Sequence, residues 1–230
     1  MNILIAYLLS LTLLSTIANS AGLSRGVEGA NPTFFFDVTG GSSTYKSELV
    51  GNNDTTTSFG YSIGGTAGAN SNLGFFIRSD TIDAPFELNS SQITTTWQDS
   101  GLKYRMGFFY LGLVLSSVET TINDEGTNLI DAGGTGTGGT TGLQFSIGKT
   151  AVMYLDITSV TIAKTRNELD QTTAIGARQD VDIGAYIDLS KKSFDYMLGY
   201  KQRTVTVTTD ASYTDTITTT YVGFRWASYF

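Results

Sequence analysis

Apolar and polar residues alternate with period two along most of this chain, the pattern of a strand whose side chains point in turn to opposite faces. TFFFDVTGG sets Phe34, Phe36 and Val38 against Asp37. TSFGYSIGG sets Phe59, Tyr61 and Ile63 against Gly60, Ser62 and Gly64. LGFFIRSD opposes Leu73, Phe75 and Ile77 to Arg78 and Asp80, and QITTTWQ offers a weaker face of Ile93 and Trp97. LKYRMGFFYLGLVL opposes Leu102, Tyr104, Met106 and Phe108 to Lys103 and Arg105. LQFSIG, VMYLDIT, DVDIGAYIDL and FDYMLGYKQR continue the pattern, with Asp156, Asp180, Asp182, Asp188, Asp195, Lys201 and Arg203 on the polar faces. The last segment, YVGFRWASYF, puts Val222, Phe224, Trp226, Ser228 and Phe230 on one face and Tyr221, Gly223, Arg225, Ala227 and Tyr229 on the other.

The phase slips twice. After Phe108 the apolar face moves from even to odd positions, and Gly107 and Gly112 are candidates for a bulge there. In SVTIAK, Val160 and Ile162 fall on the face that held Asp156, an exchange that alternation alone does not explain. Between segments, AGANS, QDSG, GKTA and LSKKS read as short turns. Longer polar connections begin near Ser47, Asp83, Asn123, Arg166 and Asp210. Short and long alternate, as in membrane barrels with tight periplasmic turns and longer external loops. The expected fold is all-β: one antiparallel transmembrane barrel of ten strands over residues 33–230, with eight strands as the alternative.

Composition fits that reading. Gly is abundant at 26, Pro scarce at 2 and Cys absent, and mean hydropathy is zero. A strand with one face in lipid and one in a polar lumen averages to nothing in this way. Residues 1–20 contain no charge; an apolar run from Ile3 to Leu14 and small residues at Ala18 and Ser20 read as a cleaved secretory signal peptide, followed by a periplasmic segment over 21–32.

The terminal aromatic strand and the alternation of turns and loops resemble the small, porin-like outer-membrane β-barrel proteins of Gram-negative bacteria. No subfamily motif is matched. The resemblance implies residence in the outer membrane and contact with its lipid and lipopolysaccharide. It also implies delivery by the barrel-assembly machinery through the C-terminal strand, and a monomer. Trp97, Tyr221, Phe224, Trp226 and Phe230 are candidates for interfacial girdles and the assembly signal, with Tyr45, Tyr110, Tyr196 and Tyr229 as further girdle candidates.

The opposite faces place Asp37, Arg78, Asp80, Lys103, Arg105, Asp156, Asp180, Asp182, Asp188, Asp195, Lys201, Arg203 and Arg225 in the lumen. Charge there is nearly balanced. The excess behind the net charge of −7 lies in the expected external loops, where Glu48, Asp54, Asp83, Glu87, Asp124, Glu125, Asp131, Glu168, Asp170, Asp210 and Asp215 outnumber Arg166 and Arg178. Such carboxylates could bridge divalent cations to anionic lipopolysaccharide.

Other chemistry is weakly supported. Gly134, Gly136 and Gly139 match G-x-G-x-x-G inside GGTGTGGTTG, but no helix follows, and a mobile external loop is the expected state. Asp180 and Asp182 share a face and meet lumen cations more readily than a substrate. The chain has no His, which rules out a Ser-His-Asp triad, a Cys-His pair and His-bound zinc, and with them the known enzyme types built on such barrels. No cofactor or metal site is expected, and the acidic balance argues against nucleic acid. Two functions remain: a narrow passive channel for small solutes, or a non-conducting structural or surface-interaction barrel with a salt-bridged interior.

Overall fold

Ten antiparallel strands close into one ring in the computed structural model, which describes residues 34–47, 53–67, 71–86, 91–124, 127–147, 151–166, 175–188, 194–208 and 212–228. They are β1 (Phe34–Ser47), β2 (Asn53–Thr66), β3 (Leu73–Phe86), β4 (Ser91–Met106), β5 (Phe109–Asp124), β6 (Thr127–Ile147), β7 (Ala151–Arg166), β8 (Ile175–Asp188), β9 (Phe194–Thr208) and β10 (Ser212–Ser228). Each strand pairs with its sequence neighbours, and β1 pairs with β10 to close the ring. The segments expected as signal peptide and periplasmic leader, and Tyr229 and Phe230, lie outside the described residues.

Paired partners can be followed once round the ring. The path runs from Phe34 through Gly65, Phe75, Leu102, Leu113, Gly139, Ser159, Gln179, Thr204 and Thr216, and returns to β1 at Lys46, twelve residues further on. For ten strands that stagger corresponds to a strand tilt of roughly 40°. Closure leaves no sheet edge, so the backbone donors and acceptors of the ring meet within it.

The strand boundaries differ from the expectation at the two connections that flank β5. QDSG is not a turn: it lies inside β4, paired with both β3 and β5. The turn comes instead at Gly107 and Phe108, between partners Met106 and Phe109. Gly107 has φ 65°, the left-handed backbone that a two-residue hairpin needs to follow the strand twist. The first phase slip is therefore a hairpin, not a bulge. GGTGTGGTTG is also strand rather than loop, forming the middle of β6. The expected long connection near Asn123 shrinks to residues 125–126.

The second slip is not a slip. Pairing of β7 with β8 runs without interruption from Ala151 to Ile162. Asp156, Thr158, Val160 and Ile162 all face the interior and are buried, while Ile157, Ser159 and Thr161 face out and are exposed. What changes is the surroundings. Near the end where β1 begins and β10 finishes, here the terminal end, the outer wall is an apolar belt. Phe36, Phe75, Leu102, Leu113, Ile183, Leu198 and Phe224 are exposed there. The belt occupies about eight residues of each tilted strand, or roughly 20 Å, near the ~25 Å of membrane barrels. Towards the far end the outer positions become Ser42, Thr57, Gln98, Ser117, Ser159, Gln179, Gln202 and Thr218. Over the same height the interior gains the apolar side chains of Ile82, Trp97, Val160, Ile162, Val205 and Ile217, beside the buried hydroxyls of Ser43, Thr56 and Thr219. The barrel is thus apolar outside and charged inside at one level, and polar outside with apolar side chains and hydroxyls inside at the next.

This inversion predicts opposite tolerances on one wall. Ile183→Arg, inside the belt, should cost about 2–4 kcal/mol, whereas Gln179→Arg on the same strand above it should cost under ~1 kcal/mol. Urea unfolding of the two variants in lipid vesicles measures the difference; equal costs would remove the belt boundary.

Candidate functional site: the charged lumen

The interior side chains of the belt level form ion pairs that hydrogen bonds and ring contacts link into one network. The seam that closes the ring carries the first. Asp37 on β1 and Arg225 on β10 are direct partners in register. Arg225 donates from Nε to Asp37 Oδ1 and from Nη2 to Oδ2, each at 2.7 Å, a bidentate fork. Ser62 Oγ donates to the same carboxylate at 2.7 Å, and the guanidinium lies over the Tyr186 and Phe35 rings at 3.9 and 4.5 Å.

Above the seam pair the bonds cross the lumen. Lys201 Nζ and Arg203 Nη2, on β9, reach Asp80 Oδ2 on β3 at 2.8 and 3.0 Å. Arg203 also holds Asp180 on β8, from Nε at 2.9 Å and from Nη2 at 3.0 Å. Asp99 Oδ2 on β4 accepts from Arg78 Nε on β3 and from Arg178 Nη2 on β8, both at 2.7 Å. Arg178 continues to Ser116 on β5 at 3.1 Å, and Arg78 to Thr158 on β7 at 3.2 Å. Lys103 on β4 reaches Asp156 on β7 at 2.8 Å while its ammonium sits over the Tyr110 and Phe76 rings. Tyr154 and Tyr221 hydroxyls bond one another, and Tyr221 donates to Asp182 at 2.7 Å. β3, β4 and β5 are thereby tied to β7, β8 and β9 through their side chains.

The glycines explain how so much fits. Five inward aromatics each lie across the glycine that is their direct partner on the next strand: Phe35 on Gly64, Phe76 on Gly101, Tyr110 on Gly142, Tyr154 on Gly184 and Tyr221 on Gly199. A Cβ at any of those glycines would meet the ring. The absent side chain is the space the ring occupies.

Of the lumen candidates, Asp37, Arg78, Asp80, Lys103, Asp156, Asp180, Asp182, Lys201, Arg203 and Arg225 belong to this connected set. Arg105 lies at the terminal mouth, donating to Gly107 O at 2.6 Å, and Asp188 and Asp195 face each other in register there, with Asp195 also opposite Arg225. Sequence reasoning missed two members. Arg178 was expected in an external loop and Asp99 in a turn. Both are in strands, 0% and 2% exposed. The signal existed: Arg178 continues the spacing of Asp180 and Asp182, and Asp99 that of Lys103 and Arg105.

Trp97 and Tyr221 are not on the outer wall. Trp97, 5% exposed, is packed between the guanidiniums of Arg178 and Arg203 at 5.4 and 4.9 Å. It shares the face of Asp99 and Lys103 because β4 runs on through QDSG. Tyr221 alternates with outward Val222, and Tyr110 with outward Leu111, so both hydroxyls point inside. Phe224 and Trp226 do face out, 59% and 39% exposed, edge-on to Tyr196 and Phe34 at 5.8 Å.

Beside the ion pairs runs a cavity of about 240 Å³. Asn72, Arg105 and Gln144 line it at the terminal mouth, Asp37, Asp80, Asp182 and Lys201 midway, and buried Ile82 and Ile217 towards the far end.

No family model and no curated protein matches this chain. Solved structures do. The outer membrane protease OmpT from Escherichia coli aligns over 86% of this chain and 97% of its own, with 8% identity and a TM-score of 0.55. Neisserial surface protein A aligns over 86% and 98% with 12% identity and a TM-score of 0.48. The translocator domain of autotransporter NalP from Neisseria meningitidis aligns over 96% and 97% with 11% identity and a TM-score of 0.46. At such identities the likeness is one of fold.

The seam pair yields a test of what holds the ring shut. Asp37→Leu alone removes the bidentate partner of buried Arg225 and should cost about 3–5 kcal/mol, whereas Asp37→Leu with Arg225→Leu should recover most of that loss. The midpoint of the heat-dependent gel shift ranks the variants; a double variant as weak as the single one would mean the pair itself carries the closure. The arrangement is the outer-membrane β-barrel fold, with its interior cross-braced by ion pairs.

Proposed function

We propose that this chain is an integral outer-membrane barrel that does not conduct, with its terminal end towards the periplasm. It acts as a braced structural unit that carries its far end beyond the lipid. The carrying observation is that the cations a channel would need along its wall are taken: Lys103, Lys201 and Arg203 each hold a carboxylate across the lumen, and Arg78 holds Asp99 on the adjacent strand and reaches Asp180 across the lumen at 3.6 Å. The cavity beside them has Ile82 and Ile217 as apolar lining towards the far end. Largely buried ion pairs are costly to break one partner at a time, so the brace is a ground state rather than a gate resting shut.

The same reading gives the outer wall its partners. The apolar belt meets lipid, and the polar wall above it meets the lipopolysaccharide headgroup layer. The outward row Val222, Phe224 and Trp226 of β10 suits recognition by the assembly machinery. Full closure within one chain requires no second copy, which favours a monomer.

Planar-bilayer recording tests the proposal. The inserted wild-type protein should be silent, whereas Asp80→Ala combined with Lys201→Ala and Arg203→Ala should open discrete, ion-selective steps. Reproducible steps from the wild type would return the channel reading.

A further inference from the structure

Nine of the ten strand pairs join strands that follow one another in the chain, so their connections limit how far they can slide. The tenth, β1 with β10, joins the first strand to the last and has no connection to set its register. Alternation does not set it either. A slip of one residue turns every side chain to the wrong face, but a slip of two returns each to its own. The outer row accepts such a slip. Thr44 faces Thr218 and would face Thr216 or Thr220; Val38 faces Phe224 and would face Val222 or Trp226.

The inner row does not accept it. In register it reads Asp37–Arg225, Thr39–Gly223, Gly41–Tyr221 and Ser43–Thr219. Arg225 forks onto both oxygens of Asp37 at 2.7 Å, and the buried Ser43 and Thr219 hydroxyls bond at 2.6 Å. A Cβ at Gly41 would stand 2.5 Å from Thr220 O and 3.0 Å from Tyr221 Cβ, and one at Gly223 would meet Val38 O. A slip of two carries the guanidinium about 7 Å along the wall, opposite Thr39 or Phe35. It leaves Asp37 opposite Gly223 or Ala227, and sets Tyr221 against Ser43 or Thr39 instead of Gly41.

We propose that the Asp37–Arg225 fork is the register key of the closing seam, a specificity device that selects the stagger of the whole ring. The twelve-residue offset found on going once round the barrel is fixed at this pair of strands, and strand tilt follows from it. An apolar pair could hold the seam as firmly, but it would not distinguish one register from the next. Choosing among alternative pairings is the best-attested role of a buried ion pair. The selection depends on the closed ring and is independent of whether the lumen conducts.

The chain has no Cys, so engineered pairs report register without competing thiols. Ser42→Cys with Thr220→Cys joins outward register partners. Ser42→Cys with Thr218→Cys, or with Val222→Cys, comes within disulfide reach only after a slip of two, because Cα atoms more than about 7 Å apart are not bridged. Full-length protein is refolded in detergent and oxidised, and disulfide yield is measured in the folded band of the heat-dependent gel shift. With the fork intact, the first pair should close and the other two should not. Asp37→Leu with Arg225→Leu should keep the folded band and raise closure of at least one slipped pair about tenfold. Asp37→Arg with Arg225→Asp, which rebuilds the pair in reverse, should return closure to the first pair alone. Slipped closure with the fork intact, or a Leu variant that closes only the first pair, overturns the proposal. A reversed variant that folds but slips as the Leu variant does overturns it too; if the reversed pair does not fold, the Leu variant alone decides.

Discussion

A charge inside a barrel this narrow must find its partner inside the barrel. The wall outside is apolar at the same height, so no side chain can turn away to solvent, and an unpaired ion there costs several kcal/mol. Much of the interior follows from that constraint. Arg178 and Asp180 alternate on β8 because both must face in, and their partners lie on β4, β5 and β9 because adjacent strands alone cannot neutralise them. Asp99 Oδ2 serves two guanidiniums at once, and Trp97 fills the space between Arg178 and Arg203 with a ring whose face attracts cations. Pairing across the lumen also joins opposite sides of the ring, which backbone hydrogen bonds cannot do.

The same strands that carry these charges leave the belt within a few residues and enter a second environment. There the alternation persists and its meaning reverses. On β9, Lys201 and Arg203 point in beneath Val205, while Leu198 and Tyr200 point out beneath Gln202 and Thr204. Above the belt, the pattern of an ordinary polar-faced sheet takes over: apolar side chains gather inside and hydroxyls and amides face out. The apolar side chains of the upper interior are thus a consequence of the strands outrunning the belt, and they need no separate plug segment.

Period-two alternation made ten strands, the outward belt and most of the lumen carboxylates and cations legible. It failed wherever one polarity was assumed for the interior along the whole strand. Val160 and Ile162 read as a slip because apolar residues were expected to face lipid, although β7 never changes phase. It failed again where local composition imitated a loop. Gly136, Gly138 and Gly142 face the interior of the barrel from within a strand, where small size is required by neighbours such as Val160 and Tyr110, and no local propensity reports that. Arg178 and Asp99 were missed because what fixes them is each other, 79 positions apart in sequence and joined only through the lumen.

The glycine–aromatic partners connect these failures to the site. An interior this crowded with guanidiniums and tyrosines can exist only if some wall positions contribute no side chain. A ring laid over its register partner also fixes its own hydroxyl: Tyr221, lying on Gly199, is aimed at Asp182, and Tyr154, lying on Gly184, is aimed at Tyr221. The polar network is therefore positioned by the absence of atoms on neighbouring strands as much as by the charges themselves. A larger residue at Gly199 would not simply overfill the core. It would turn the Tyr221 hydroxyl away from Asp182, leaving that carboxylate with Lys201 at 3.9 Å as its nearest cation. Abundant glycine, which at first suggests flexibility, here sets the aim of a rigid interior.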